Sequence, residues 1–163
     1  MKRLVTLLTL LLALLAVPGP GSGPSPAEAQ SAGQFVTFEK NELSIETAAG
    51  ATHSFEVEVA VTLDQRAQGL MFRRTMAAEA GMLFLFGGSA PRAMWMKNTL
   101  IPLDMLFIDE AGKIVRIEER TVPHSLRAIV SGQPASAVLE LNAGTASRLV
   151  IEPGDRVLHP AFN

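Results

Sequence analysis

The residues best equipped for chemistry lie between positions 71 and 140. Met94, Trp95, Met96, Lys97, Asn98 and Thr99 run together and reach Asp104 across Pro102. In an extended chain, alternation puts Trp95, Lys97 and Thr99 on one face and Met94, Met96 and Asn98 on the other. A return of the chain after Pro102 brings Asp104 toward Lys97. A tryptophan floor beside Lys97, Asn98 and Asp104 suits a sugar, a peptide or a small polar molecule. The plainer alternative is an ion pair at a sheet edge, with Asn98 and Thr99 bonding loop backbone. Arg73, which follows Gly69-Leu70-Met71-Phe72, carries the fork that grips a carboxylate or phosphate. It could equally tie its loop to a carboxylate such as Glu140. Glu140 lies between Leu139 and Leu141 in a run that otherwise reads as core, where a carboxylate needs a partner. It shares its strand face with Val138 and Asn142. The ligand-binding candidates are therefore Arg73, Trp95, Lys97, Asn98, Asp104 and Glu140.

Two other chemistries use some of the same residues. Asp104 and Glu140 could serve as the acid and base of a hydrolase; glycoside chemistry would need carboxyls about 5–9.5 Å apart. Met71, Met76, Met82, Met94, Met96 and Met105 are clustered, and thioethers suit a soft ion such as Cu(I), with Met94 and Met96 on one strand face. Methionine more often fills irregular core gaps. The chain has no cysteine, and His53, His124 and His159 are scattered. No nucleophile elbow, zinc-binding His pair or phosphate-cradling loop is present. No catalytic residue, cofactor or metal is assigned on this basis.

These side chains need elements to position them, and the pattern is mostly that of strands. Phe35 to Phe38 and Leu43 to Thr47 read as two short strands across a Lys40-Asn41-Glu42 turn. His53 to Val61 alternates, with Phe55, Val57, Val59 and Val61 on one face. Thr62 and Gln65 form a capping-box pair at the start of a helix that ends near Gly69. Gly81 to Phe86, Ala93 to Lys97 and Leu103 to Ile108 read as strands. Lys113 to Val122 reads as the return of a hairpin through Asp109-Glu110-Ala111-Gly112. Ala137 to Leu141, a turn of helix after Gly144, and Arg156 to Leu158 complete the domain. Many short strands with one short helix predict a mainly β fold, a compact sandwich or barrel.

The N-terminus reads as a targeting segment. Lys2 and Arg3 precede the apolar run from Leu4 to Val17, and Ala27-Glu28-Ala29 supplies a small-x-small cleavage site. That run has 14 residues, against the roughly 20 needed to span a bilayer. The expected division is a signal peptide over residues 1–29, a disordered linker over 30–34 and a single β domain over 35–163. Loss of Lys2, Arg3 and Glu28 leaves 12 basic and 15 acidic residues, without the basic excess that nucleic acid demands. The expected location is the periplasm or the exterior, with no membrane span after cleavage.

Four segments together are more specific than any alone. Gly69-Leu70-Met71-Phe72-Arg73, Gly81-Met82-Leu83-Phe84, Trp95-Met96-Lys97-Asn98-Thr99 with Pro102-Leu103-Asp104, and Val138-Leu139-Glu140-Leu141-Asn142-Ala143-Gly144 resemble the domain of unknown function 192 family. The likeness covers about residues 53–158, with the segments in the family's order and no departure within them. It implies a compact jelly-roll-like β domain with a short helix and frequent export in bacteria. It implies no activity. The residues favour a non-enzymatic domain in the periplasm that binds a small molecule or serves as an accessory to a cell-envelope component.

Overall fold

The computed structural model describes residues 36–162; the expected signal peptide and linker lie outside them. Seven strands form one sheet in the order β5-β4-β6-β3-β2-β1-β7. β1 (Glu39–Glu46) pairs antiparallel with β2 (Thr52–Ala60) through the Ala48-Ala49-Gly50 turn. α1 (Leu63–Gln68) then carries the chain over to β3 (Ala80–Met94), which runs parallel to β2. β4 (Leu103–Ile108) and β5 (Ile114–Glu118) make the hairpin expected across residues 109–112. β6 (Ile129–Asn142) lies between β3 and β4, antiparallel to both. α2 (Thr145–Leu149) and β7 (Arg156–Leu158) follow, with β7 on the outer edge of β1.

The sheet curls until its two edges meet. Lys113, just before β5, bridges to Arg156 of β7. The Val157 N–H donates to the Gly112 carbonyl at 2.7 Å and the Ile114 N–H to the Asp155 carbonyl at 2.9 Å. Of the two forms left open by the sequence, the molecule takes the barrel. Gly112 is required at this seam: it has φ +78°, and a Cβ there would lie 2.6 Å from the Val157 carbonyl.

Alternation sorts the core into two layers. One cluster draws on every strand and fills the barrel, with Leu43, Ile45, Phe55, Val57, Leu83, Leu106, Ile108, Leu139, Leu141 and Val157 among its members. The opposite face of β3, β4 and β6 holds a second cluster, with Met82, Phe84, Met105, Phe107 and Val138 joined by Ile129 at the start of β6 and covered by Leu70 and Met96 from the connecting segments. Removing such side chains from water contributes about 1.5–3 kcal/mol each. The methionines Met82, Met96 and Met105 therefore belong to packing in this second layer.

The expected elements need several corrections. Lys40-Asn41-Glu42 is no turn: β1 runs through it, with Lys40 and Glu42 exposed on the outer face and Asn41 half-buried on the face of Leu43. The strands read at Gly81–Phe86 and Ala93–Lys97 are one strand, β3, which stops at Met94. Gly87 and Gly88, with φ +66° and +145°, bulge the strand instead of turning it, and the register against β6 shifts between Leu85 and Ala90. β6 likewise begins at Ile129, eight residues before Ala137, and continues through Pro134. β5 stops at Glu118 and leaves an irregular stretch to residue 128. The turn after Gly144 is a second short helix, α2.

Candidate functional site

The α1 region and the irregular stretch at residues 95–101 lie over the outer face of β3 and β6 and leave a cavity of about 380 Å³. α1 is held at this place by both halves of its capping box: the Gln65 N–H donates to Thr62 Oγ1 at 3.1 Å, and the Thr62 N–H to Gln65 Oε1 at 3.0 Å. It ends at Gly69, φ +47°, where a Cβ would press on the Phe84 ring at 3.0 Å. The chain then turns back through Leu70 and Met71 along the cavity wall.

The base of the cavity is buried and the rim exposed. Leu70, Phe84 and Glu140 are almost wholly covered, while Trp95 is 52% exposed and Leu126 70%. Phe86, Met71 and Met94 complete the apolar walls; Gln68 and Thr99 add polar groups. The charged residues lining it are Arg66, Lys97 and Glu140. Arg66 stacks on Phe86 at 5.5 Å and its Nη1 donates to the carbonyls of Val61 and Leu85. Lys97 Nζ sits 5.3 Å from the centre of the Trp95 ring and forms no ion pair among the described residues.

Glu140 is the unusual group. Its neighbours across the sheet are Met82 on β3 and Met105 on β4, both fully buried. The expected Arg or Lys partner is not there: the carboxyl has no ion pair or hydrogen bond among the described residues. Burial pushes it up to about 8 from the ordinary 4.5, because nothing compensates the lost hydration of the anion. Burial thus favours the uncharged acid, which can donate a hydrogen bond at the base of an apolar cavity.

The six candidates thus separate. Trp95, Lys97 and Glu140 meet in this cavity. Trp95, Lys97 and Thr99 do share a side, although the strand that was to align them ends before them. Arg73 instead pairs with Glu58, lies 6.0 Å from the Phe38 ring, and lines a neighbouring hollow that shares Gln68 and Met71 with the cavity. Asn98 makes a backbone turn at φ +56°; its carbonyl accepts from the Phe72 N–H at 2.9 Å and its amide approaches Met71 Sδ at 3.8 Å.

Asp104 is buried away from the cavity and does not pair with Lys97. Its carboxylate accepts the N–H groups of Arg120 at 2.9 Å, Gly144 at 3.0 Å and Ala146 at 2.9 Å, tying the start of α2 to the barrel. Since Met105 faces Glu140, Asp104, one residue before it, points to the other side of the sheet. The two carboxyls therefore do not form an acid–base pair. Met94 lines the cavity; Met96 is buried, its sulfur accepting from the Thr121 hydroxyl at 3.2 Å. Sequence reading missed Arg66, Phe84 and Phe86 as parts of the site. Their spacing reads as helix surface and strand core, and only the placement of α1 over β3 joins them.

No curated protein matches the chain. A crystal structure from Sinorhizobium meliloti 1021, provisionally named a transcription regulator, is 52% identical, with 77% of this chain and 98% of that one covered at a TM-score of 0.76. A protein of unknown function from Novosphingobium aromaticivorans DSM 12444 is 34% identical, with 84% of this chain and 100% of that one covered at a TM-score of 0.72. Residues 44–159 match DUF192, described as an uncharacterized ACR, and the chain belongs to that family.

Proposed function

We propose that the protein is an exported domain of the cell envelope that binds a small molecule in the Trp95 cavity. The observation that carries this reading is Glu140: a buried carboxyl without a partner, lining a cavity that opens beside an exposed tryptophan. An unpaired polar group in an apolar layer costs stability, and a bound molecule would supply the missing partner. The cavity has the size and the mix of apolar wall and few polar groups typical of small-ligand sites. Direct binding of nucleic acid finds no support in a chain with 14 basic against 16 acidic residues.

Trp95 is the protein's only tryptophan, so it reports on its own cavity. The neutral dye N-phenyl-1-naphthylamine should bind saturably, with energy transfer from Trp95. Ala93→Phe, which fills the cavity from its β3 wall, should abolish the transfer while leaving the β-sheet circular dichroism intact. Absence of transfer, or equal transfer in the folded filled variant, would overturn the proposal.

A further inference from the structure

Resting on the cavity being a binding site, we infer that its ligand is an organic monoanion with an apolar body, the anionic group held at the rim by Lys97 and Arg66 and the body lying against Phe84, Phe86 and Trp95. The distribution of charge along the cavity carries this. The cations are at the mouth: Lys97 is exposed and unpaired over Trp95, and Arg66 is half-buried against Phe86. Arg66 is fixed there by the Val61 and Leu85 carbonyls, so its place is set before any ligand arrives. Between mouth and base the walls are aromatic and aliphatic, with Met71 and Met94 able to adapt to the shape of a chain or ring.

At the base the single acid, Glu140, sits among Met82, Met105 and Phe84 without a counter-cation. Burial in that layer favours its neutral form. A neutral acid there adds no repulsion to an entering anion and can donate a hydrogen bond to an acceptor at the far end of the ligand. A cationic ligand would have to pass both Lys97 and Arg66 to enter. The charges therefore select against amines and for carboxylates or other monoanions.

The test compares three eight-carbon probes of one shape class: octanoate, octanol and octyltrimethylammonium. Each is titrated against the dye complex at pH 7, with displacement followed through Trp95. Octanoate is expected to bind at least about ten-fold more tightly than the cation, a difference of about 1.4 kcal/mol. Lys97→Met should weaken octanoate about five- to ten-fold and leave octanol unchanged; Lys97→Arg should restore octanoate. Tighter binding of octyltrimethylammonium, or equal loss of octanoate and octanol in Lys97→Met, would overturn the anion assignment while the cavity reading stands. Failure of all three probes to displace the dye would overturn the anion assignment. Failure of the dye itself to reach Trp95 would overturn the cavity reading beneath it.

Discussion

Glu140 makes a stability prediction of its own. With the folded-state carboxyl pushed from 4.5 to about 8, the folded chain keeps a proton that the unfolded chain has released anywhere between those values. Stability should therefore fall as pH rises from about 4.5 to about 8, and the loss should level off above it. Glu140→Gln keeps the shape and cannot ionise, so its profile should lack this slope. Near pH 8.5 it should be the more stable protein by about 2 kcal/mol or more in urea unfolding. Parallel profiles for the two proteins would mean that the carboxylate is well solvated through the cavity mouth. At this scale the sequence was half legible. A glutamate between Leu139 and Leu141 announces an exceptional site. That it stands unpaired, and that Asp104 serves three backbone amides instead, depends on which sheet face each residue takes. One residue of register decides that.

At the scale of elements, the site depends on one close approach. β3 and β6 meet at Gly81, where a Cβ would lie 2.7 Å from the Glu140 carbonyl and 2.8 Å from the Leu141 side chain. Glycine there lets β6 carry Glu140 past β3 without a step in the sheet. Gly81→Ala should therefore destabilise the protein by about 2 kcal/mol, within the 1–3 kcal/mol usual for overpacking, as read by urea unfolding. A neutral effect would show that the strands can separate at that point. The elements themselves were legible where local chemistry is self-sufficient. The α1 capping box, the hairpin through Asp109–Gly112 and the alternation of β2 need no distant partner. The long strands were not, because Gly87-Gly88 in β3 and Gly132-Gln133-Pro134 in β6 look like chain breaks until the two strands pair across them. Glycines read alone signal turns; paired in a ladder with a register shift, they signal a bulge.

At the scale of the molecule, the barrel seam and the absence of cysteine bear on where the protein works. The edges of β5 and β7 are joined, so the folded sheet offers no long free strand to another chain. No cysteine means that folding does not depend on the redox state of either compartment. No helix among the described residues is long and apolar enough to cross a membrane. The proposed envelope location rests instead on the N-terminal segment. Its apolar run of 14 residues, short of the roughly 20 of a membrane span, is the proposed signal core. Protein purified from its native cells should therefore begin at Gln30 by intact-mass measurement and leave the cell with the periplasmic fraction. Replacing Leu10 and Leu11 by arginine, which breaks the apolar run without touching the β domain, should trap an uncleaved, folded chain in the cytosol. If the unaltered protein is instead found in the cytosol with Lys2 still in place, the envelope is the wrong compartment, and the ligand of the Trp95 cavity has to be sought among cytosolic anions.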